Sequence, residues 1–261
     1  MDWEAPGLDG FHALFFQTNW SSLGPSIIQF IQDIFTQHTL PPSWGDTNLA
    51  LIPKVAHPNV ISQFRPISLC NTLYKLLSRI IVHRLKPYMA EVINPCQAGF
   101  VPRRRTSDNI IIVQEVIRTL ISRRGRTGYV VIKLDLEKAY DRLEWNYIQD
   151  TLEFFQLHPT LITLIMSMVT STRFHILWNG TPLPAVMPSW GIRQGDPLSP
   201  YLFILCLERL SIKLNEAIRD NAIHPISFRG RVRLSHLFFV DEIFLSQGPL
   251  FEIVRTLVGF Y

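Results

Sequence analysis

Apolar residues recur at helical spacing in six stretches of the chain and follow strand-like patterns in five others. The helical stretches, with apolar side chains three or four residues apart, are residues 25–35, 73–85, 107–122, 145–155, 161–169 and 198–219. The strand-like stretches are residues 48–52, 129–135, 173–178, 231–239 and 243–245, and residues 129–135 are dense in β-forming residues. This mixture predicts an α+β fold in which helices pack on an antiparallel sheet.

Prolines, glycines and capping residues predict several element boundaries. We expect the helix over residues 73–85 to stop before Pro87, because proline removes a helical hydrogen bond. Ser107 is a candidate N-cap for the next helix, which would end at Arg123-Arg124-Gly125. Asn179-Gly180 directly follows an alternating stretch and predicts a two-residue hairpin turn.

Three carboxylates lie at the ends of predicted strands. Asp135 ends the strand over residues 129–135, where a charge is unfavourable unless that end faces solvent or a cation. Asp241 and Glu242 interrupt the apolar pattern between residues 231–239 and 243–245, as the turn of a second hairpin. On adjacent strands, these carboxylates fit a site for two Mg²⁺ ions about 4 Å apart. The spacing alone equally fits a polar turn and a strand-end cap.

Composition excludes several protein classes. The chain has 261 residues, of which 47% are hydrophobic and only 18% charged, which excludes global disorder. Its three cysteines, Cys70, Cys96 and Cys206, are far apart with no CxxC pair. We therefore expect no zinc finger and no disulfide partner, as in a reducing compartment. The apolar runs are short and the first residues lack a signal-peptide pattern, so we expect no membrane association.

Charge is distributed unevenly along the chain. The formal net charge is +4, but residues 54–126 contain 13 Lys or Arg and three acidic residues, whereas the remainder is net acidic. A basic block beside an acidic remainder is typical of a polyanion-binding protein with a metal-dependent site. A solvated basic face is the alternative interpretation of the same charges.

Seven sequence blocks give these patterns a more specific meaning. In chain order they are APGLDGF (5–11), LIPKV (51–55), FRPISLCN (64–71), QAGFVP (97–102), DLEKAYDRLEW (135–145), GIRQGDPLSPYLF (191–203) and SHLFFVDE (235–242). Together they resemble LINE-type reverse transcriptases of non-LTR retrotransposons, especially the copies common in plant genomes. The resemblance extends over nearly the whole chain.

The resemblance implies a right-hand polymerase fold and RNA-directed DNA synthesis. Fingers would occupy residues 1–128 and a palm residues 129–261, truncated after the second catalytic hairpin, with the thumb absent. A primer 3′-hydroxyl would attack the α-phosphate of a deoxynucleoside triphosphate, with two Mg²⁺ ions, or Mn²⁺, at the site. The implied partners are an RNA template, a DNA primer and deoxynucleoside triphosphates, and the nucleus is the expected compartment.

The resemblance also implies roles for individual residues. Asp135 and Asp241 match the metal-binding aspartates, and Glu242 would assist them. Lys54 and Arg65 match fingers residues that contact the triphosphate. The remaining implied residues lie near the sugar, the nascent base pair and the template: Tyr140 as the ribose gate, Gln194 and Gly195 in the loop beside the pair, and Arg103, Arg104 and Arg105 on the template backbone. A solvated charge run is the alternative for the arginines.

Three departures from the family pattern concern the catalytic hairpin, one turn and the length. The hairpin usually contains Phe-Ala-Asp-Asp, so Val240 adds two methyl groups and Glu242 adds one methylene. Arg103 replaces a usual glycine, so a positive φ at this position would be strained. From the length we expect a truncated element.

A non-catalytic nucleic-acid-binding relic is the alternative function. A group II intron maturase or telomerase-like enzyme is a third interpretation, which the KAYDR and SLCN sequence motifs disfavour.

Overall fold

The computed structural model describes residues 5–122, 130–228, 232–240 and 242–247. The α-helices in these ranges are α1 (Ala13–Thr18), α2 (Trp20–Gln37), α3 (Thr72–Val92), α4 (Thr106–Ser122), α5 (Trp145–Phe154), α6 (Pro159–Thr170) and α7 (Ser199–Arg219). The strands are β1 (Asp46–Pro53), β2 (Phe64–Leu69), β3 (Val130–Asp135), β4 (Arg173–Trp178), β5 (Thr181–Pro182), β6 (Ile226–Phe228), β7 (Val232–Leu234), β8 (His236–Phe239) and β9 (Glu242–Gln247). This mixture confirms the predicted α+β class.

The chain divides into two compact units. The first unit comprises Met1–Arg84 and Tyr140–Leu202, and the second comprises Leu85–Ala139 and Phe203–Tyr261. Helices α3 and α7 each contribute residues to both units. The assignment of residues 1–128 to fingers and 129–261 to palm stays a prediction.

The first unit contains a four-stranded sheet in the order β2-β1-β4-β5. Strand β1 pairs antiparallel with β2, but it pairs parallel with β4, a non-local pairing that the sequence pattern did not predict. The predicted Asn179-Gly180 turn joins β4 to β5, and both residues have positive φ, 49° and 80°. Helices α5 and α6 pack against each other in the same unit.

The second unit contains an antiparallel sheet in the order β3-β9-β8 and a separate β6-β7 pair. Helix α4 packs against β8 and β6. Its buried Val116 and the buried Ile226 form a small core with partly buried apolar neighbours on α4, β3 and β7. The antiparallel sheet packed on a helix, predicted from the apolar pattern, is confirmed here.

Helix boundaries correct two expectations. Helix α3 continues through Pro87 to Val92 instead of stopping at residue 85, and Met89 beyond the proline is fully buried. Burial of the last turn offsets the hydrogen bond that proline removes. Helix α4 begins at Thr106, so Ser107 lies inside the helix and does not precede it as an N-cap. The predicted stop at residues 123–125 lies outside the described residues.

The stretch over residues 231–239 is two strands and not one. Ser235 separates β7, which pairs with β6, from β8, which pairs with β9. Glu242 is the first residue of β9 and not a turn residue, because it pairs with Phe239 on β8 and with Asp135 on β3. The part of the chain that the structure describes contains no helix with the length and apolarity to cross a bilayer.

Candidate active site

Asp135 and Glu242 face each other across two adjacent strands of the second unit. Asp135 ends β3, Glu242 begins β9, and the two residues are direct partners in the antiparallel register. Directly opposed residues project from the same face of a sheet. Asp135 is exposed and Glu242 half-buried, so both carboxylates are accessible. Asp241, the third predicted carboxylate, lies outside the described residues.

Lys133 contacts Glu242 of this pair and was not among the predicted site residues. Its Nζ lies 2.7 Å from Oε1 of Glu242 and 5.8 Å from the centre of the Phe244 ring. Lys133 precedes Asp135 by two residues on a strand, so it shares the face of Asp135. That two-residue spacing was visible in the sequence, but only the register identifies Glu242 as its partner.

The connection between β8 and β9 is crowded and has an unusual backbone. Val240 follows β8 with φ of +60°, a region that β-branched residues rarely adopt. A Cβ atom at Gly99 would lie 2.5 Å from Cγ2 of Val240, so the valine side chain lies directly against the glycine backbone. The methyl groups that valine adds at this position are thus directed at Gly99.

A buried polar chain supports β8 from α7. The imidazole of His236 lies between the hydroxyls of Ser211, 3.0 Å from Nε2, and Ser235, 2.8 Å from Nδ1. Burial lowers the pKa of His236 to about 4, which keeps the ring neutral. Glu208 on α7 accepts a hydrogen bond from the backbone N–H of Asn94 at 3.0 Å. Burial raises the pKa of Glu208 to about 7. The only sequence signal for these hydrogen bonds was Glu208, a single acidic residue within the apolar run of α7.

Arg104 has a different environment from its two neighbours. Its guanidinium donates to the carbonyls of Ile93, Asn94 and Gln97 at 2.7, 2.5 and 2.9 Å. Those contacts fix the segment that follows α3, and burial lowers the pKa of Arg104. Arg103 and Arg105 are exposed. Arg103 has φ of +65°, in the left-handed region that favours glycine, so its backbone is strained.

The segment held by Arg104 is attached to β8. The carbonyl of Cys96 accepts hydrogen bonds from the backbone N–H of Phe238, at 3.0 Å, and from the side chain of Asn109, at 3.1 Å. The same Asn109 amide donates to the carbonyl of Phe238 at 3.1 Å. Arg104 therefore supports β8 through residues 93–97 and is not a free surface cation.

Lys54 and Arg65 lie at one end of the β1–β2 hairpin in the first unit. Lys54 directly follows β1, and Arg65 pairs with Ile52 in the register. Both side chains are exposed, and Nζ of Lys54 donates to the carbonyl of Ser62 at 3.3 Å. The hairpin thus places both predicted triphosphate contacts at the same edge.

Tyr140, Gln194 and Gly195 belong to two segments of the first unit that hydrogen-bond to each other. The backbone N–H of Ile192 donates to the carbonyl of Tyr140 at 2.9 Å, and the Gln194 amide donates to Oδ1 of Asp141 at 3.3 Å. Gly195 has φ of +111°, and a Cβ there would lie 2.8 Å from the carbonyl oxygen of Ser68. A cleft of about 220 Å³ adjoins this loop, with Ser68, Asp141, Trp190 and Gln194 among its lining residues.

Two charged residues of the same loop are structural anchors that the sequence analysis missed. Arg193 is buried, donates to the carbonyl of Gly45 at 3.0 Å and lies 4.5 Å from the Tyr74 ring centre. Asp196 is also buried and accepts hydrogen bonds from the hydroxyls of Tyr74, at 2.8 Å, and Ser78. Arg193 and Asp196, on either side of Gln194 and Gly195, therefore fix the backbone of this loop.

The predicted site residues fall into two groups. Asp135, Glu242 and the three arginines belong to the second unit, whereas the other described candidates, Lys54, Arg65, Tyr140, Gln194 and Gly195, belong to the first. Within residues 5–122, 130–228, 232–240 and 242–247, no three His, Cys, Asp or Glu side chains converge as a metal site. Asp135 and Glu242 nevertheless supply the oxygen donors that Mg²⁺ prefers. Two like charges in direct opposition are unfavourable without a cation, a role that the Lys133 ammonium fills in this structure and that a divalent ion could also fill.

Residues 52–248 of the chain match the reverse transcriptase (RNA-dependent DNA polymerase) family. The chain is 34% identical to the Transposon TX1 uncharacterized 149 kDa protein of Xenopus laevis, over 97% of this chain and 19% of that protein. It is 30% identical to a Retrovirus-related Pol polyprotein from type-1 retrotransposable element R2 of Popillia japonica, over 84% of this chain and 30% of that protein. The chain thus spans less than one third of either relative.

The fold is also similar to that of a solved structure. The apo telomerase of Candida tropicalis, truncated from its C-terminal domain, superposes with a TM-score of 0.53 at 12% identity. The match covers 90% of this chain and 51% of that one, consistent with a fingers–palm polymerase fold. With the family match over residues 52–248 and relatives among non-LTR elements, this chain belongs to the reverse transcriptase family, as a reverse transcriptase domain of the non-LTR retrotransposon type.

Proposed function

We propose that the chain catalyses RNA-directed DNA synthesis, in which a primer 3′-hydroxyl attacks the α-phosphate of a deoxynucleoside triphosphate. The observation that carries this proposal is the direct pairing of Asp135 and Glu242 across β3 and β9. Asp241, which matches the second metal-binding aspartate of the family, immediately precedes Glu242 in the chain. Both carboxylates lie on an accessible face, as a site for a phosphorylated substrate requires.

Asp135, Asp241 and Glu242 would hold two Mg²⁺ ions, or Mn²⁺. When bound, such ions stabilise negative charge on the transferring phosphate and lower the pKa of the attacking hydroxyl. Asp135 and Glu242 would hold such ions where the end of β3 meets the start of β9. The side chain of Glu242 is one methylene longer than that of aspartate, so the position of its carboxylate at the metal site depends on where β9 begins.

The first-unit residues would bind and select the nucleotide. Lys54 and Arg65, exposed at one end of the β1–β2 hairpin, would neutralise the triphosphate. The ring of Tyr140 would exclude a ribose 2′-hydroxyl. Gln194 and Gly195 would lie beside the nascent base pair, where a glycine backbone permits close approach.

The arginine cluster would contact the RNA template unequally. Arg103 and Arg105 are exposed and are the proposed phosphate contacts. The guanidinium of Arg104 donates to three backbone carbonyls, so we assign it the support of β8 instead.

Primer extension on an RNA template with a DNA primer tests the proposal. Purified chain is supplied with deoxynucleoside triphosphates and Mg²⁺ or Mn²⁺. We expect metal-dependent incorporation that Asp135→Asn abolishes and that Asp150→Asn, an exposed acid on α5, leaves intact. The Asp→Asn substitution removes the charge and keeps the size of the side chain. Circular dichroism of both variants then shows whether a loss of incorporation comes from lost chemistry or from lost folding. Absence of incorporation by folded wild-type chain would contradict the proposal.

A non-catalytic nucleic-acid-binding relic is the second candidate function. Two observations favour it: Val240 has an unfavourable backbone conformation, and Lys133 neutralises Glu242 without a metal. Such a relic would use the basic block over residues 54–126. RNA binding that Asp135→Asn leaves unchanged, together with no incorporation, would support this function.

A further inference from the structure

The face of the sheet that presents the carboxylates also presents the ammonium group of Lys133. The register places Asp135, Glu242 and Phe239 in one row, and Lys133 and Phe244 in the adjacent row. Lys133 is thus a diagonal neighbour of Glu242, and its ammonium lies 2.7 Å from Oε1. The side chains of Lys133 and Glu242 are 52% and 38% exposed, so a solvated ion can approach the same carboxylate.

The ammonium of Lys133 occupies the carboxylate of Glu242, where it would compete with a bound divalent ion. Asp135 and Glu242 repel each other as directly opposed like charges, and the ammonium offsets that repulsion. A divalent ion on the same oxygens would be repelled by an ammonium at 2.7 Å, so both cannot keep these positions. The Phe244 ring, 5.8 Å from Nζ, provides an adjacent cation–π position for the released ammonium.

We infer that Lys133 is a built-in counter-ion that occupies Glu242 in the metal-free protein and competes with the divalent ion for it. This inference rests on the proposed function, because it takes Asp135 and Glu242 as metal ligands. Lys133 would stabilise the empty carboxylate pair, and it would raise the metal concentration needed to fill the site. Phe244 would hold the ammonium after the exchange.

Mn²⁺ titration of the full chain, followed by the paramagnetic signal of the free ion, tests the inference without requiring catalysis. Lys133→Met removes the competing charge, so we expect the apparent Kd for Mn²⁺ to fall by about two- to fivefold. Lys133→Arg keeps the charge and should leave the Kd unchanged or higher. The matched control is Lys213→Met, which breaks a Lys–Glu pair of 2.8 Å with 59% and 40% exposure on α7.

Thermal unfolding without and with Mn²⁺ provides the second readout. Lys133→Met should unfold at a lower temperature than Lys213→Met in the absence of divalent ions, and the added ion should remove that difference. One result would overturn the inference alone: Asp135→Asn abolishes Mn²⁺ binding, but Lys133→Met binds Mn²⁺ with the same Kd as the wild-type chain. Wild-type chain that binds no Mn²⁺ through Asp135 would overturn the proposed metal site itself, and the inference with it.

Discussion

The methyl group Cγ2 of Val240 lies 2.5 Å from where a Cβ atom on Gly99 would be. Glycine at position 99 therefore makes room for a valine in the β8–β9 connection. The valine has φ of +60°, so contact with the segment before α4 accompanies an unfavourable backbone conformation. The two residues are coupled although they are 141 positions apart in the chain.

Gly99→Ala is expected to lower the free energy of unfolding by about 1–3 kcal/mol, because the added methyl has no space. Val240→Ala in the same chain should recover most of that loss, since it removes the contacting methyl groups. Urea unfolding of the two single variants and the double variant gives the coupling energy. Strictly additive effects would show that the two side chains do not compete for one space.

Arg104→Met is expected to lower the free energy of unfolding by about 2–3 kcal/mol, because three backbone carbonyls lose a charged donor. It should also reduce primer extension, since residues 93–97 hydrogen-bond to β8. Arg105→Met is the matched control. This exposed residue should leave stability within about 0.5 kcal/mol of wild type and weaken RNA binding instead. Equal stability of the two variants would contradict the structural role of Arg104.

Glu208 and His236 are expected to give stability opposite dependences on pH. The pKa of Glu208 rises from its ordinary 4.5 to about 7 on folding, so its contribution is lost as pH increases between these values. The pKa of His236 falls from 6.5 to about 4, so its contribution is lost as pH decreases through that range. In wild type the two effects nearly cancel in the window that they share.

Single variants should expose each effect. Glu208→Gln leaves the histidine, so stability should rise with pH by about 2–3 kcal/mol across the window. His236→Gln leaves the acid, so stability should fall with pH by a similar amount. Urea unfolding at a series of pH values provides both slopes. Parallel pH profiles for the two variants would contradict the opposite signs of the pKa shifts.

Local patterns predicted the elements whose formation depends on neighbouring residues. Asn179-Gly180 specified its hairpin because both residues tolerate positive φ. The local sequence pattern predicted the strands that became β1 and β4, but not their parallel pairing, which joins residues more than 100 positions apart. The same limit hid the break at Ser235, since alternation cannot show that β7 and β8 have different partners.

Roles within charged motifs depended on tertiary contacts in the same way. Three consecutive arginines carry no local signal that the middle one binds carbonyls of residues 93–97. In the RQGDP motif, the burial of Arg193 and Asp196 identifies them as structural residues, which the motif alone does not show. Lys133 shares a strand face with Asp135, but its carboxylate partner comes from a strand more than 100 residues later.

Gly195→Ala is expected to destabilise the chain more than Gly10→Ala, although both glycines have positive φ. At Gly10 the space around a Cβ is open, so only the backbone conformation opposes alanine, at about 1 kcal/mol. At Gly195 the Cβ would also lie 2.8 Å from the carbonyl oxygen of Ser68, a backbone atom with little freedom to move. The N–H of the same Ser68 donates to the Gln194 carbonyl at 2.7 Å, so displacement of the loop would strain this bond. Urea unfolding should therefore show a loss of about 2–4 kcal/mol for Gly195→Ala. Primer extension should fall further than stability alone explains, because Gln194 would move with the loop. Equal losses for the two variants would mean that the loop yields without cost and that its glycine serves only the backbone angle.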